Sequence, residues 1–172
     1  MRQSMIGEED VDAKLWLHAA EATIRRYCGW HIAPSLTTTL TLDGDGGRLL
    51  RLPTLHLTEL TELTLDGHDA LTAAQWSQRG MVELTGHRHF PDQLGSIRVT
   101  MTHGYDPEEV PDIIAMIMTI ARRGASQPAV ASQSVNGASV SYFSIGGAPL
   151  SIPLLRTEKE ALAPYTLRRG IA

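Results

Sequence analysis

The chain has 172 residues, a mass of 18.8 kDa and a formal net charge of -4. That length fits about one domain. Its longest strongly apolar run, residues 113–121, is far short of the ~20 that cross a bilayer, and an acidic balance argues against a protein whose work is gripping phosphates.

A single cysteine, Cys28, excludes an internal disulfide and any cysteine-based metal cluster. No basic stretch followed by an apolar one opens the chain, so no secretory leader is expected. One domain over residues 1–172 is expected, with five sub-parts in chain order. Glu8, Glu9 and Asp10 suit a first helical turn, where negative charge meets the helix dipole. From Val11 apolar residues recur at helical spacing. Val11, Leu15, Ala19 and Ala22 form one stripe, with Trp16, Ala20 and Tyr27 beside it. This predicts a helix over 8–28, ended by Gly29 as a left-handed cap and by Pro34 beyond it.

A β-rich block of about five short strands is expected over 36–104. Thr37–Leu42 alternates Thr and Leu. The run Asp43-Gly44-Asp45-Gly46-Gly47 predicts a turn, with Arg48–Leu52 returning as partner strand. Leu57–Leu65 closes on the hairpin signal Asp66-Gly67, and Met81–Leu84 and Ile97–Thr102 follow. Pro111 and Asp112 open a helix over 111–123 that is apolar on nearly every face, which predicts burial on most sides. Residues 124–156 turn to Ser, Gly, Ala and Val, an extended arm or hairpin. Thr157 and Glu160 have the spacing of a capping box, predicting a last helix over Glu158–Ala163 stopped by Pro164, then a tail to 172. Helices segregated from strands make the fold class α+β.

Catalytic signatures are missing. There is no phosphate loop, dinucleotide fingerprint, HExxH zinc motif or GxSxG nucleophile elbow. Asp43 and Asp45 imitate the start of a calcium loop, but its fifth position is Gly47 and its twelfth is Thr54, so the ligand set fails. His87 and His89, with His103 nearby, offer three imidazoles for zinc. Only Asp92, across Pro91, is close in sequence to support them, so polar loop histidines are the expectation. Cys28 with His31 resembles a nucleophile and base, but a free cysteine at a helix end is more simply a core residue. Glu108 and Glu109 complement the dipole of the helix they precede. No catalytic, metal or cofactor site is expected.

Four features in order carry a resemblance. They are the N-terminal helix running into Tyr27-Cys28-Gly29-Trp30-His31-Ile32-Ala33-Pro34, and the Leu/Thr strands of residues 49–65 around Pro53. The third is the stretch Ile97–Tyr105 leading to Val110-Pro111-Asp112-Ile113. The last is a Gly/Ser-rich arm ahead of a short helix and an Arg-bearing tail. Together they resemble the head-to-tail adaptor (head-tail connector, or head completion) proteins of long-tailed bacteriophages, those of actinobacterial hosts in particular. The resemblance covers residues 8–169 and implies a structural virion protein with no enzymatic activity and no cofactor. Such a protein sits in a ring, implied to be dodecameric, at the neck between the portal and the tail. Its implied partners are its own copies, the portal protein and the next neck or tail protein. Double-stranded genomic DNA would pass through the lumen without sequence-specific binding, and no membrane is involved. It would be made in the bacterial host cytoplasm.

An acidic chain suits such a conduit, because tight phosphate contacts would retard passage. The expected interface residues are Trp30, Ile114, Ile117 and Met118; Val135, Val140, Tyr142 and Phe143 of the arm; and Arg168 and Arg169 of the tail. The alternatives are another small neck protein (head closure or tail terminator), a small metal-binding enzyme using the histidines, and a DNA-binding module using Arg25, Arg26, Arg122 and Arg123.

Overall fold

The computed structural model describes residues 6–126, 132–135, 138–141, 144–145, 148–149 and 152–167. It mixes helices and sheets, as the α+β expectation requires. The chain divides into two compact units, Cys28–Val110 with Tyr165–Ala172, and Met1–Tyr27 with Pro111–Pro164.

The first unit is built from seven strands: β1 (Leu36–Leu42), β2 (Leu49–Arg51), β3 (Leu57–Leu65), β4 (His68–Asp69), β5 (Ala74–Trp76), β6 (Met81–Leu84) and β7 (Ile97–His103). They form two antiparallel sheets, ordered β1-β7-β3-β4 and β2-β6-β5. Alternation along β7 puts Ile97, Val99, Met101 and His103 on the buried face. Opposite them on β1 stand Leu42, Leu40, Thr38 and Leu36. Residues of both sheets (Leu57, Leu60, Leu63, Val82, Leu84) close with Leu52 and Phe90 into one core, each fully buried aliphatic contributing about 1.5–3 kcal/mol.

β3 departs from strict alternation. Its sequence repeats Leu-Thr-Glu, and its ladder to β7 shifts register between Leu57 and Glu59 and again between Leu60 and Glu62. Each shift admits one extra residue, Thr58 or Thr61, so Leu57, Leu60 and Leu63 all still face the core. The hydroxyls of Thr58 and Thr61 donate to the carbonyls of Thr102 and Thr100, at 3.0 and 3.1 Å. After β3, Asp66 (φ 51) and Gly67 (φ 79) both take positive φ, as a two-residue hairpin turn requires.

The expected hairpin between β1 and β2 does not form. β1 pairs β7 and β2 pairs β6, in different sheets. The Asp43–Gly47 run instead lies along residues 91–95. Gly44 N–H donates to Gln93 O (2.9 Å), Gly46 N–H to Pro91 O (3.1 Å) and Gly95 N–H to the Asp43 carboxylate (2.8 Å). A Cβ on Gly44 would fall 2.0 Å from Pro91 O, so the close approach itself demands glycine.

The second unit holds α1 (Ile6–Cys28, its final residue grouped with the sheet unit), α2 (Pro111–Ala125) and α3 (Arg156–Leu162). Two hairpins stand between α2 and α3: β8 (Ser132–Val135) with β9 (Ala138–Ser141), and β10 (Ser144–Ile145) with β11 (Ala148–Pro149). Asn136-Gly137, a strong hairpin sequence, lies between β8 and β9. Gly29 follows α1 with φ 82, the left-handed terminator that the sequence predicts.

The inward stripe of α1 differs from expectation. Ala20, Ile24 and Cys28 are buried with Trp16 half-buried, whereas Leu15 and Ala22 are exposed. α1 carries two apolar stripes, and Trp16 decides between them by lying against α2 at Gly124. A Cβ there would meet the Trp16 ring at 2.6 Å and Ile152 at 2.8 Å.

α3 begins at Arg156, two residues before the expected start, and Thr157 with Glu160 does not form the capping box. Glu158 is the residue that reaches back, accepting the Leu155 N–H at 2.7 Å. No helix among the described residues is long and apolar enough to cross a membrane.

Candidate interface surfaces

α2 is amphipathic. Ile113, Ile120, Ala121 and Gly124 are buried, Ile114 and Ile117 are half-buried, and Met118 is 45% exposed. This corrects the expectation of burial on most sides, since Asp112, Ala115, Thr119 and Arg122 line an exposed face. Ile114, Ile117 and Met118 follow at i, i+3 and i+4, so they share one flank. The same unit also exposes Leu15 (60%) and Leu155 (51%). Large aliphatic side chains held in water gain by finding a partner surface.

Trp30 lies in the interior of its unit. It is buried, and its indole N–H donates to Tyr165 O at 2.7 Å. Around it stand the rings of His31, His103 and Tyr105, with centroids at 6.0, 6.5 and 6.3 Å. Its role in this structure is a core anchor. Val135 and Val140 sit on the β8–β9 hairpin, opposite Ala138 and Gln133. Tyr142, Phe143, Arg168 and Arg169 lie outside the described residues.

The three histidines weighed for zinc do not form a common ligand set, and among the described residues no group of three or more His, Cys, Asp and Glu is placed to hold a metal ion. His87 pairs with the Arg48 guanidinium, and His89 Nδ1–H donates to Gly46 O at 2.8 Å. Both tie down exposed loops.

His103 is buried at the end of β7, its ring 4.4 Å from that of His31. Burial, and then the proximity of His31, lower its pKa to about 4, so at neutral pH its imidazole is uncharged. His56 Nδ1–H donates to Gly104 O (2.9 Å) and its ring stacks on Tyr105 at 4.0 Å. Gly104 (φ 105) has no room for a Cβ, which would fall 2.7 Å from Pro34 O. This aromatic and histidine cluster locks the exit of β7. The sequence reading missed it, although the alternation Ile97, Val99, Met101, His103 points that histidine inward.

Cys28 is buried as expected. Desolvation raises its pKa, with the Thr166 hydroxyl partly offsetting that, so the thiol stays protonated at neutral pH. Arg123, considered for DNA binding, is already engaged. Its guanidinium meets Glu158 in two parallel bonds, Nη1–Oε1 at 2.7 Å and Nη2–Oε2 at 3.0 Å, and Nη2 also donates to Pro153 O. The Arg123 hydrogen bonds hold the Glu158 carboxyl below its ordinary pKa.

The outer face of the β1-β7-β3-β4 sheet is polar. Thr37 pairs with Thr102 and Thr39 with Thr100, both at 2.9 Å, and Glu62 meets Thr100 and Arg98. β1 is the sheet's edge, and among the described residues it joins no strand except β7.

No family model matches the chain, and no curated protein matches it. Solved structures do match. One is a chain from the neck of a native GTA (gene transfer agent) particle computed with C12 symmetry. The TM-score is 0.59 at 16% sequence identity, over 92% of this chain and 84% of that one. Another is from the neck of an empty GTA particle computed with C6 symmetry, with a TM-score of 0.58 at 16% identity, over 99% of this chain and 85% of that one. At that identity the likeness establishes a shared fold.

Proposed function

We propose that this chain is a structural protein of a phage-like neck, acting as the adaptor ring that joins the portal to the tail. The observation that carries this is the fold itself. It is similar over nearly the whole chain to chains found in the necks of GTA particles with C12 and C6 symmetry. The apolar flank of the helical unit supports it. A cyclic ring needs a heterologous interface, two different patches meeting head to tail. Ile114, Ile117 and Met118 offer one apolar flank of the kind that interface cores use, and Leu15 is a further exposed aliphatic of the same unit. In this reading twelve copies form the ring, the arm of residues 124–156 and the tail that carries Arg168 and Arg169 reach the portal or the next neck protein, and DNA passes through the lumen. The protein is a component of the virion and performs no catalysis.

The direct test is the mass of the native particle. Closed rings with a central hole support the adaptor reading, and a chain that never oligomerises, alone or with the portal ring present, removes it.

A further inference from the structure

Edge strands usually carry a device against unwanted pairing: a charge, a proline, a bulge, brevity or a cover. In the sheet unit, β4 is two residues long, and β2 and β5 are three each. Among the described residues β1 has none of these devices. Its seven residues, Leu-Thr-Thr-Thr-Leu-Thr-Leu, include no charge and no proline. Its ladder to β7 runs from Leu36 to Leu42 without a register shift. None of the seven is buried. The outer backbone edge of β1 is thus a ready template for another extended chain.

The same sequence contains a matching uncharged segment. Residues 124–155 hold no Asp, Glu, Lys, Arg or His. Strands β8 and β9 within it are four residues each and pair only with each other among the described residues. A lone two-stranded hairpin is marginal in water, and a third strand is what makes it stable. An uncharged donor also suits this acceptor, since Leu and Thr of β1 offer no counter-charge.

We propose that β1 is a strand-acceptor edge and that its occupant is the β8–β9 hairpin of a second copy of this chain. The inference rests on the ring reading and supplies one of its contacts. β1 meeting β8 or β9 is a heterologous contact, which repeats around a ring. β1 meeting β1 would be isologous and would stop at a dimer.

The test uses two pools of full-length protein, both with Cys28→Ser. One carries Thr39→Cys and the other Ser139→Cys; the pools are co-assembled and mildly oxidised. Thr37→Cys and Thr41→Cys replace Thr39→Cys in parallel runs to cover other registers, because a disulfide needs Cα atoms within about 7 Å. The expected result is a mixed disulfide between chains of different pools, formed in the assembled fraction only. Assembled rings without a mixed disulfide in any run overturn this inference and leave the ring reading standing. Disulfides within the Thr39→Cys pool alone mean that β1 pairs with itself, which also overturns it. A chain that stays monomeric, with the portal ring present as well as absent, and yields no mixed disulfide overturns both. A second measurement needs no substitution: β1 amides of the unaltered chain exchange about tenfold or more slowly on assembly, and unchanged exchange overturns the inference.

Discussion

At the residue scale, two buried titratable groups among the described residues, His103 and Glu158, make the fold sensitive to acid. His103 has a folded pKa of about 4, below its unfolded value near 6.5. Between those values the unfolded chain holds the proton and the folded chain does not, so stability falls as pH drops from about 6.5 to about 4 and then levels. The loss from this group is on the order of 3 kcal/mol. Urea midpoints of His103→Phe across that window check it, and the variant should show a flatter pH profile than the parent. Glu158 is depressed below the ordinary carboxylate range, mainly by its hydrogen bonds from Arg123. Its contribution is fully present above that range and disappears as pH falls through the lower, folded value. Glu158→Ala leaves the Leu155 N–H without its acceptor and the Arg123 side chain, three-quarters buried, with only the Pro153 carbonyl. It should cost about 3 kcal/mol at neutral pH, measured by chemical denaturation. Arg156–Glu160, both ends mostly exposed, should cost under about 1 kcal/mol when broken.

At the element scale, close approaches set what each element tolerates. Gly124→Ala improves helix propensity by about 1 kcal/mol but sets a methyl against the Trp16 ring at 2.6 Å and Ile152 at 2.8 Å. Overpacking of that kind costs about 1–3 kcal/mol, so the net effect should be destabilising, seen as a lower melting temperature. Thr61→Val removes the hydroxyl that satisfies Thr100 O across the second bulge and should cost about 1 kcal/mol. The same elements show what was legible in the sequence. β7 could be read from local alternation, and the β3–β4 hairpin from Asp66-Gly67, because a two-residue turn with positive φ is encoded in the residues that make it. The partner of β1 could not be read. Asp43–Gly47 suits a tight turn as well as a crossing segment, and what decides is its backbone pairing with residues 91–95, some fifty positions away. The bulges of β3 were hidden for a related reason, since a Leu-Thr-Glu repeat looks like imperfect alternation until its register on β7 is known. On α1 two apolar stripes competed, and only the packing of Trp16 at Gly124 chose between them. Of the expected interface residues, Trp30 was legible as important, but the acceptor of its indole N–H, Tyr165 O, lies at the far end of the chain.

At the scale of the whole molecule, the question is whether the exposed apolar flank of α2 meets another copy. Met118 is nearly half exposed, so Met118→Glu should alter folding stability by no more than about 0.5 kcal/mol. If the flank is an interface, the same change places an unpaired charge in an apolar contact and should abolish assembly. Melting temperature and sedimentation of one sample separate the two effects. The neck reading as a whole is tested most directly by native mass across a concentration series, with negative-stain images of the same samples, alone and with the portal ring added. The expected result is a closed ring of about twelve copies with a central hole, in keeping with cyclic closure. A chain that remains monomeric at every concentration, with the portal present as well as absent, contradicts it.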